Sequence, residues 1–335
     1  MKGALVFAAL AVFAMECEAG GYGDNPRPAA KTFEEKVAMS YNYEPIGSND
    51  MRANSIPDSW DWNDVDGNSY LAPSWNQHIP KYCGSCWLHS SLSVVQDRIK
   101  IMHGGDGIDV MLARQVLLQC APLANLSNGC KGGEPSDVFG YMQKYNLPDE
   151  GCFVYKADDT DFMHLKKEGI SECPAEGRCV NCMTGHKPEC YAIENPLTYG
   201  VKSFGPVPEG EDAMKAEIYN RGPIVCSIAT GKALDYGYRG GVFIDVNNVT
   251  DVDHDIEVVG WGEEDGVPFW KIRNSWGTFW GELGFFKLRR GTNELQVEKD
   301  CWYAVPDISM EKEMLDGKLV GSMEKGLVKK DEAEL

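Results

Sequence analysis

Twelve cysteines in 335 residues constrain this chain more than any other feature. One of them, Cys17, closes an N-terminal leader. Lys2 supplies a charged start, Ala4 to Ala14 is unbroken apolar sequence, and Cys17-Glu18-Ala19 offers a small-x-small cleavage site. Residues 1–19 read as a secretory signal peptide, and the run is too short to span a bilayer. The secretory route is oxidising, so the remaining cysteines are expected to pair, and their number is odd. Disulfides plus one free reactive thiol is the simplest solution, and the count closes if Cys86 is the free one.

Cys86 follows a Gly84-Ser85 turn and opens a helical pattern. Leu88, Leu92, Val95, Ile99 and Met102 recur at alternating spacings of four and three, one apolar stripe. A thiol in the first turn of a helix sits among unpaired backbone N–H groups at the positive end of the dipole. That position favours thiolate, which is the nucleophilic form.

A cysteine hydrolase also needs a base, an orienter for that base, and donors for the oxyanion. His254 heads a predicted strand in Asp253-His254-Asp255-Ile256-Glu257-Val258-Val259-Gly260-Trp261-Gly262. Asn274 lies in Arg273-Asn274-Ser275-Trp276-Gly277, followed by Thr278-Phe279-Trp280-Gly281-Glu282. Around the thiol the sequence is Cys83-Gly84-Ser85-Cys86-Trp87, the signature of papain and the cathepsins. From these motifs the chain resembles the papain-like cysteine peptidases.

The resemblance implies Cys86 as nucleophile, His254 as proton carrier and Asn274 as the residue that fixes the imidazole. It gives Gln77 to the oxyanion hole and Trp276 to shielding the Asn–His bond. Gly132 and Gly133 match the glycine pair along which substrate backbone passes. His254 and Asn274 lie farther from Cys86 than the family's usual separation of about 130–150 residues. The stretch 152–190, rich in cysteine and poor in hydrophobic pattern, accounts for the excess and reads as a stapled, loop-rich insertion. Leu88 is bulkier than the family's usual alanine.

A narrower feature stands beside the nucleophile. Gln77 precedes Cys86 by nine positions, three more than in most of the family, and the extra residues are His78-Ile79-Pro80. That insertion resembles the one in a carboxypeptidase subgroup of the family, where its histidine binds the substrate's terminal carboxylate. A loop that blocks further chain and a cationic imidazole at acid pH suit that task. The implied activity is removal of single residues from peptide C-termini. The same resemblance implies disulfides Cys83–Cys130, Cys226–Cys301, Cys182–Cys190, Cys120–Cys173 and Cys152–Cys179, with Cys120–Cys152 left open as an alternative. The subgroup's propeptide carries a cysteine that caps the active-site thiol. Residues 20–54 contain none, so inhibition by that covalent route is not expected.

Asp255 and Glu257 share one strand face where the family carries small or apolar residues. Asp255 is read as lining the pocket upstream of the cut and favouring a basic side chain there. The alternative is a solvated pair at the cleft edge. Asn125-Leu126-Ser127 and Asn248-Val249-Thr250 fit the glycosylation pattern.

The organisation follows. Residues 20–54 form a short propeptide, with a short helix near 32–40. Residues 55–307 form the peptidase domain, with lobes at about 55–195 and 196–307, and 308–335 are a charged tail with no core to join. The fold class is α+β: a papain-like pair of lobes, one helical and one an antiparallel β-barrel, with the active site in the cleft between them. Strands are expected at 222–228, 256–260, 269–273 and 284–289, and a second helix around 112–120.

A net charge of −19 and a pI near 4.7 argue against nucleic acid or anionic membrane as a partner. No metal or organic cofactor is implied. Zinc on Cys83/Cys86 and Cys179/Cys182 is disfavoured, because the pairs are far apart and the chain enters an oxidising route. The expected protein is a monomer acting on peptides with free C-termini, in a lysosome, a vacuole or outside the cell. An endopeptidase of the same family and a catalytically inactive scaffold are the competing readings.

Overall fold

The computed structural model describes residues 31–46 and 56–333, so the expected signal peptide, the first part of the propeptide and residues 47–55 lie outside the described part. Helix α1 (Phe33–Ala38) starts at Thr32, whose hydroxyl accepts from the Glu35 N–H while the Glu35 carboxylate accepts from the Thr32 N–H. Thr-x-x-Glu caps a helix by that exchange. A two-residue strand β1 (Trp60–Asp61) precedes α2 (Cys86–Met102), on which the molecule is built.

The stripe residues Leu88, Leu92, Val95 and Ile99 of α2 are fully buried, and so are the helix's other faces as far as Ile99. A helix enclosed on all sides must satisfy its polar side chains internally. Gln96 Oε1 accepts from the Leu112 N–H and from Arg114, and Asp97 accepts from the Ala72 N–H. Arg98 donates to the carbonyls of Pro223, Gly222 and Ala304 and to Glu217. Leu88 fits without exposure in this core.

Helices α3 (Arg114–Cys120) and α4 (Pro135–Tyr145) flank α2, the former beginning two residues later than the sequence pattern suggests. After β2 (Leu147–Pro148) and a 3-10 turn at Glu150–Cys152, the cysteine-rich stretch carries α5 (Met163–Lys167), a 3-10 turn at Ala175–Gly177 and a hairpin of β3 (Val180–Cys182) with β4 (Cys190–Ala192). Disulfides Cys120–Cys173, Cys152–Cys179 and Cys182–Cys190 hold it; the alternative Cys120–Cys152 is not formed.

Then come β5 (Thr198–Pro206), α6 (Glu211–Arg221), β6 (Ile224–Ala229), α7 (Lys232–Asp235), β7 (Val242–Phe243) and β8 (Val252–Glu264). Strands β9 (Val267–Arg273), β10 (Phe285–Arg289) and β11 (Cys301–Asp307) complete the sheet. Its order is β2-β5-β11-β6-β8-β9-β10-β7, with β1 on β8, and every pairing but β10–β7 is antiparallel. Cys226–Cys301 clasps β6 to β11.

Two cores result, and the chain crosses between them. Tyr199, Val201 and Phe204 of β5 and Trp302 and Ala304 of β11 join the core of α2, α3 and α4. Trp62 and Leu71, from before α2, join the core of the sheet and α6. A boundary near residue 195 therefore describes the backbone and not the packing.

The tail is folded, which corrects the expectation that it has no core to join. It forms α8 (Ser309–Leu315), a hairpin of β12 (Leu319–Ser322) with β13 (Gly326–Lys329), and α9 (Lys330–Ala333). Leu327 is buried and its N–H donates to Asn195 O, while Asn195 N–H donates to Lys325 O. The signal was present as two apolar pairs, Leu319-Val320 and Leu327-Val328, hidden among alternating charges.

Candidate active site

Cys86 is the first residue of α2, is 8% exposed, and is the one free cysteine among the described residues. The N-cap Ser85 makes no side-chain cap bond. Its hydroxyl instead meets the Tyr155 hydroxyl at 2.8 Å, so the Ser85 side chain does not cap the first-turn N–H groups around the thiol. The turn is anchored by disulfide Cys83–Cys130 and by Gly84 N–H donating to Cys130 O at 2.9 Å. A Cβ at Gly84 would stand 2.8 Å from that carbonyl. Gly133, in the glycine pair, has a packing reason of its own: a Cβ there would meet the Trp87 ring at 2.7 Å.

His254 lies on β8 where the ladder to β6 slips: His254 faces Ile228 and Val252 faces Ala229, leaving Asp253 as an extra residue. Such bulges re-aim neighbouring side chains. The Asp253 carboxylate accepts from the Thr230 N–H and hydroxyl, which pins the bulge. His254 Nε2 lies 2.8 Å from Asn274 Oδ1, and the Ser275 N–H donates to the same oxygen at 2.8 Å. A backbone N–H only donates, so that atom is the amide oxygen and His254 carries its proton on Nε2. Nδ1 is left as the basic nitrogen. Trp276 stacks on the imidazole at 4.8 Å and Trp280 meets Trp276 edge-on at 5.0 Å. Burial lowers the pKa of His254, opposed by the Asn274 bond and by Asp253, Asp255 and Asp235.

Helix α2 is tied to this strand one turn below the thiol, where Ser90 donates to Asp255 O at 2.7 Å. Gln77 clamps the remaining sides. Its N–H donates to Ser275 O at 2.9 Å, its Oε1 accepts from the Ser275 hydroxyl at 2.6 Å, and its Nε2 donates to Cys83 O at 3.1 Å. An amide nitrogen has two hydrogens, so one remains for an oxyanion. The Tyr155 hydroxyl donates to Gln77 O at 2.8 Å. Tyr155 comes from the cysteine-rich stretch, and nothing in its sequence context marks it.

His78 follows Gln77 and stacks on Tyr82 with centroids 4.8 Å apart. Burial, with the nearby His254 charge, lowers its pKa to about 4. Asp255 is fully buried and accepts from the Ser227 hydroxyl at 2.7 Å. Glu257 is buried on Arg273. The two do not form a solvated pair at the cleft edge, because β8 turns that face inward. Cys83, Cys179 and Cys182 are in disulfides, and the described residues hold no metal-binding group of three or more His, Cys, Asp or Glu. Asn125 and Asn248 are both exposed.

Asp137, in the first turn of α4, has its pKa pushed up to about 7 by burial and by Glu134 and Asp255, against the opposing Glu134 N–H and Lys31. The native state therefore holds a proton that the unfolded chain has released, and stability falls as pH rises from about 4 to about 7. Asp137→Asn keeps the oxygen that accepts from Glu134 N–H. It is expected to stabilise the protein at pH 7.5 by roughly 1–2 kcal/mol and hardly at all at pH 4, read from urea midpoints at both values.

The family model described as papain family cysteine protease matches residues 56–305. Cathepsin Z of Onchocerca volvulus is 37% identical over 288 residues, which cover 83% of this chain and 84% of that protein. Cathepsin B-like cysteine proteinase 6 of Caenorhabditis elegans is 29% identical over 240 residues, covering 68% of this chain and 61% of that one. Among solved structures, procathepsin B S9 from Trypanosoma congolense superposes with a TM-score of 0.61 at 24% identity, covering 83% of this chain and 86% of that one. Digestive procathepsin L 3 of Tenebrio molitor larval midgut gives 0.59 at 22% identity, covering 82% of this chain and 79% of that one. At such identities the structural likeness carries the fold: two lobes, α+β, of the papain type.

Proposed function

The chain belongs to the papain family of cysteine proteases, and from that premise we propose that it is a carboxypeptidase that removes single residues from peptide C-termini. Cys86 attacks the scissile carbonyl as thiolate. The Cys86 N–H and the second Gln77 Nε2 hydrogen hold the oxyanion. His254 protonates the leaving amine from Nδ1 while Asn274 holds Nε2, and water then clears the thioester.

The observation that carries the exopeptidase reading is the position of His78. It is bonded in sequence to the oxyanion glutamine, stacked on Tyr82, and lies within the field of His254. An imidazole there meets the carboxylate of a substrate whose next peptide bond is the scissile one. A bound carboxylate raises the pKa of His78 from its depressed value, so the pair forms most readily at acid pH.

Digestion of a defined peptide at about pH 5, free acid against C-terminal amide and read by mass spectrometry, tests the proposal. Loss of one residue at a time from the free acid alone is expected. His78→Ala is expected to raise KM for the acid roughly 10- to 100-fold and to leave the amide unchanged. The parent's preference for the acid weakens as pH rises from about 4 toward 7. Internal cleavage of both peptides would discard the exopeptidase reading and leave an endopeptidase.

The same proposal takes residues 1–19 as a signal peptide, 20–54 as a propeptide and an acidic lysosomal, vacuolar or extracellular setting, with the enzyme monomeric. Five disulfides among the described residues support the oxidising route. Exposure of Asn125 and Asn248 supports glycan attachment at both. Asp255, fully buried and bonded to the Ser227 hydroxyl, presents no surface to a substrate side chain in this structure.

A further inference from the structure

Beside Asn274 lies a small, partly open pocket of about 10 Å³, lined in part by Trp75, His89, Glu257 and Asn274. Each of these four has one buried polar atom with no hydrogen-bond partner in the structure: Trp75 Nε1, His89 Nε2, Glu257 Oε1 and Asn274 Nδ2. His89, Glu257 and Asn274 are 1%, 1% and 4% exposed. Buried polar atoms left unpaired are costly, and such a volume is the least that admits one water.

The chemistry of the four atoms is complementary. Asn274 Oδ1 is occupied by Ser275 N–H and His254, so Nδ2 is the amide's donor end. The indole nitrogen of Trp75 only donates. His89 Nδ1 lies 3.0 Å from the carbonyl of Ser85, which only accepts, so the proton is on Nδ1 and Nε2 is a bare acceptor. Burial keeps the ring neutral. Glu257 Oε2 is taken by Arg273, leaving Oε1 as an acceptor. The residues that line the pocket thus carry two unpaired donors and two unpaired acceptors.

We infer that this cavity is the binding site of a single internal water, accepting from Asn274 Nδ2 and Trp75 Nε1 and donating to His89 Nε2 and Glu257 Oε1, and that the water fixes the amide plane of Asn274. His89 and Glu257 are then positioning residues, acting on the His254 imidazole through the water and Asn274. His89 is three residues after Cys86 on α2, so one helix presents the thiol to the cleft and anchors the orienting asparagine from behind. The inference rests on the proposed role of Asn274.

A crystal structure of the unaltered enzyme at a resolution that shows ordered water is the first test, and it is independent of activity. Density for one water within hydrogen-bond distance of all four atoms is expected. A dry cavity, or Asn274 Nδ2 bonded directly to protein, overturns the inference. In kinetics, His89→Leu removes one acceptor and is expected to lower kcat about tenfold with KM unchanged, and His89→Gln to restore most of it. Trp75→Phe removes one donor while keeping a ring under Arg114, and serves if His89→Leu does not fold. Titration with a thiol reagent confirms that each variant retains its nucleophile. A folded, titratable His89→Leu or Trp75→Phe with unchanged kcat also overturns the inference, whereas loss of activity in the unaltered enzyme would strike the peptidase reading instead.

Discussion

Replacing Cys86 with alanine is expected to lower kcat by about six orders of magnitude while the fold and the binding of peptide persist. The substitution deletes one sulfur at the start of α2, where Cys86 is 8% exposed and takes part in none of the disulfides among the described residues. Gln77 is held by Ser275, Cys83 and Tyr155, and His254 by Asn274 and Trp276. The oxyanion donors and the stacked imidazole therefore remain, and what they retain without a nucleophile is small. Steady-state assay with active-site titration by an epoxide inhibitor checks this: about one equivalent reacts with the parent and none with Cys86→Ala. Equal activity in the two proteins would remove Cys86 from the mechanism, and a loss of folding in the variant would make the thiol structural.

What the sequence disclosed and what it concealed divide along a physical line. Cys86, His254, Asn274 and Gln77 each sit in a local pattern whose spacing has a chemical reason, and the helix stripe from Leu88 to Ile99 is a property of neighbouring residues. The strands at 224–229, 252–264, 267–273 and 285–289 carry β-branched and aromatic residues between turns, and could be read for the same reason. Tyr155, His89 and Arg98 act through partners distant in sequence, Gln77 and Ser85 for the first, Asn274 for the second by way of the inferred water, and Glu217 for the third. No local pattern marks such a partner. The bulge at Asp253 and the crossing of β5 and β11 into the helical core are properties of the assembled sheet. Asp255 and Glu257 were legible as polar residues on one face, but which way the face turns is decided by α2 packing on β8.

The largest effect on stability is expected at Arg273, the residue before Asn274. Its guanidinium is 3% exposed; it donates to Glu257 at 2.7 Å and to Ala72 O at 2.6 Å, and it bridges to Asp97. One cation thus joins β9 to β8, to α2 and to the segment ahead of α2. Arg273→Met fills similar space but leaves two buried carboxylates facing one another, at a cost of about 3–5 kcal/mol. Lysine is no substitute, because a single ammonium cannot reach three acceptors in a plane. The sign with pH follows from the carboxyls. Burial already drives Asp97 well above its ordinary pKa and raises Glu257, and loss of the cation raises both further. Each carboxyl then holds its proton more tightly in the native state than in the unfolded one. The deficit of the variant is therefore smallest below about pH 4, where both states are protonated, and grows as pH rises toward 7. Urea unfolding of parent and variant at the two pH values measures it. Adding Asp97→Asn and Glu257→Gln to Arg273→Met is expected to recover part of the loss at neutral pH, because the harm lies in the unpaired charges and not in the missing bonds. A deficit that does not change with pH would mean that Arg273 acts through its packing and its bond to Ala72, and that Asp97 and Glu257 are neutral in the parent.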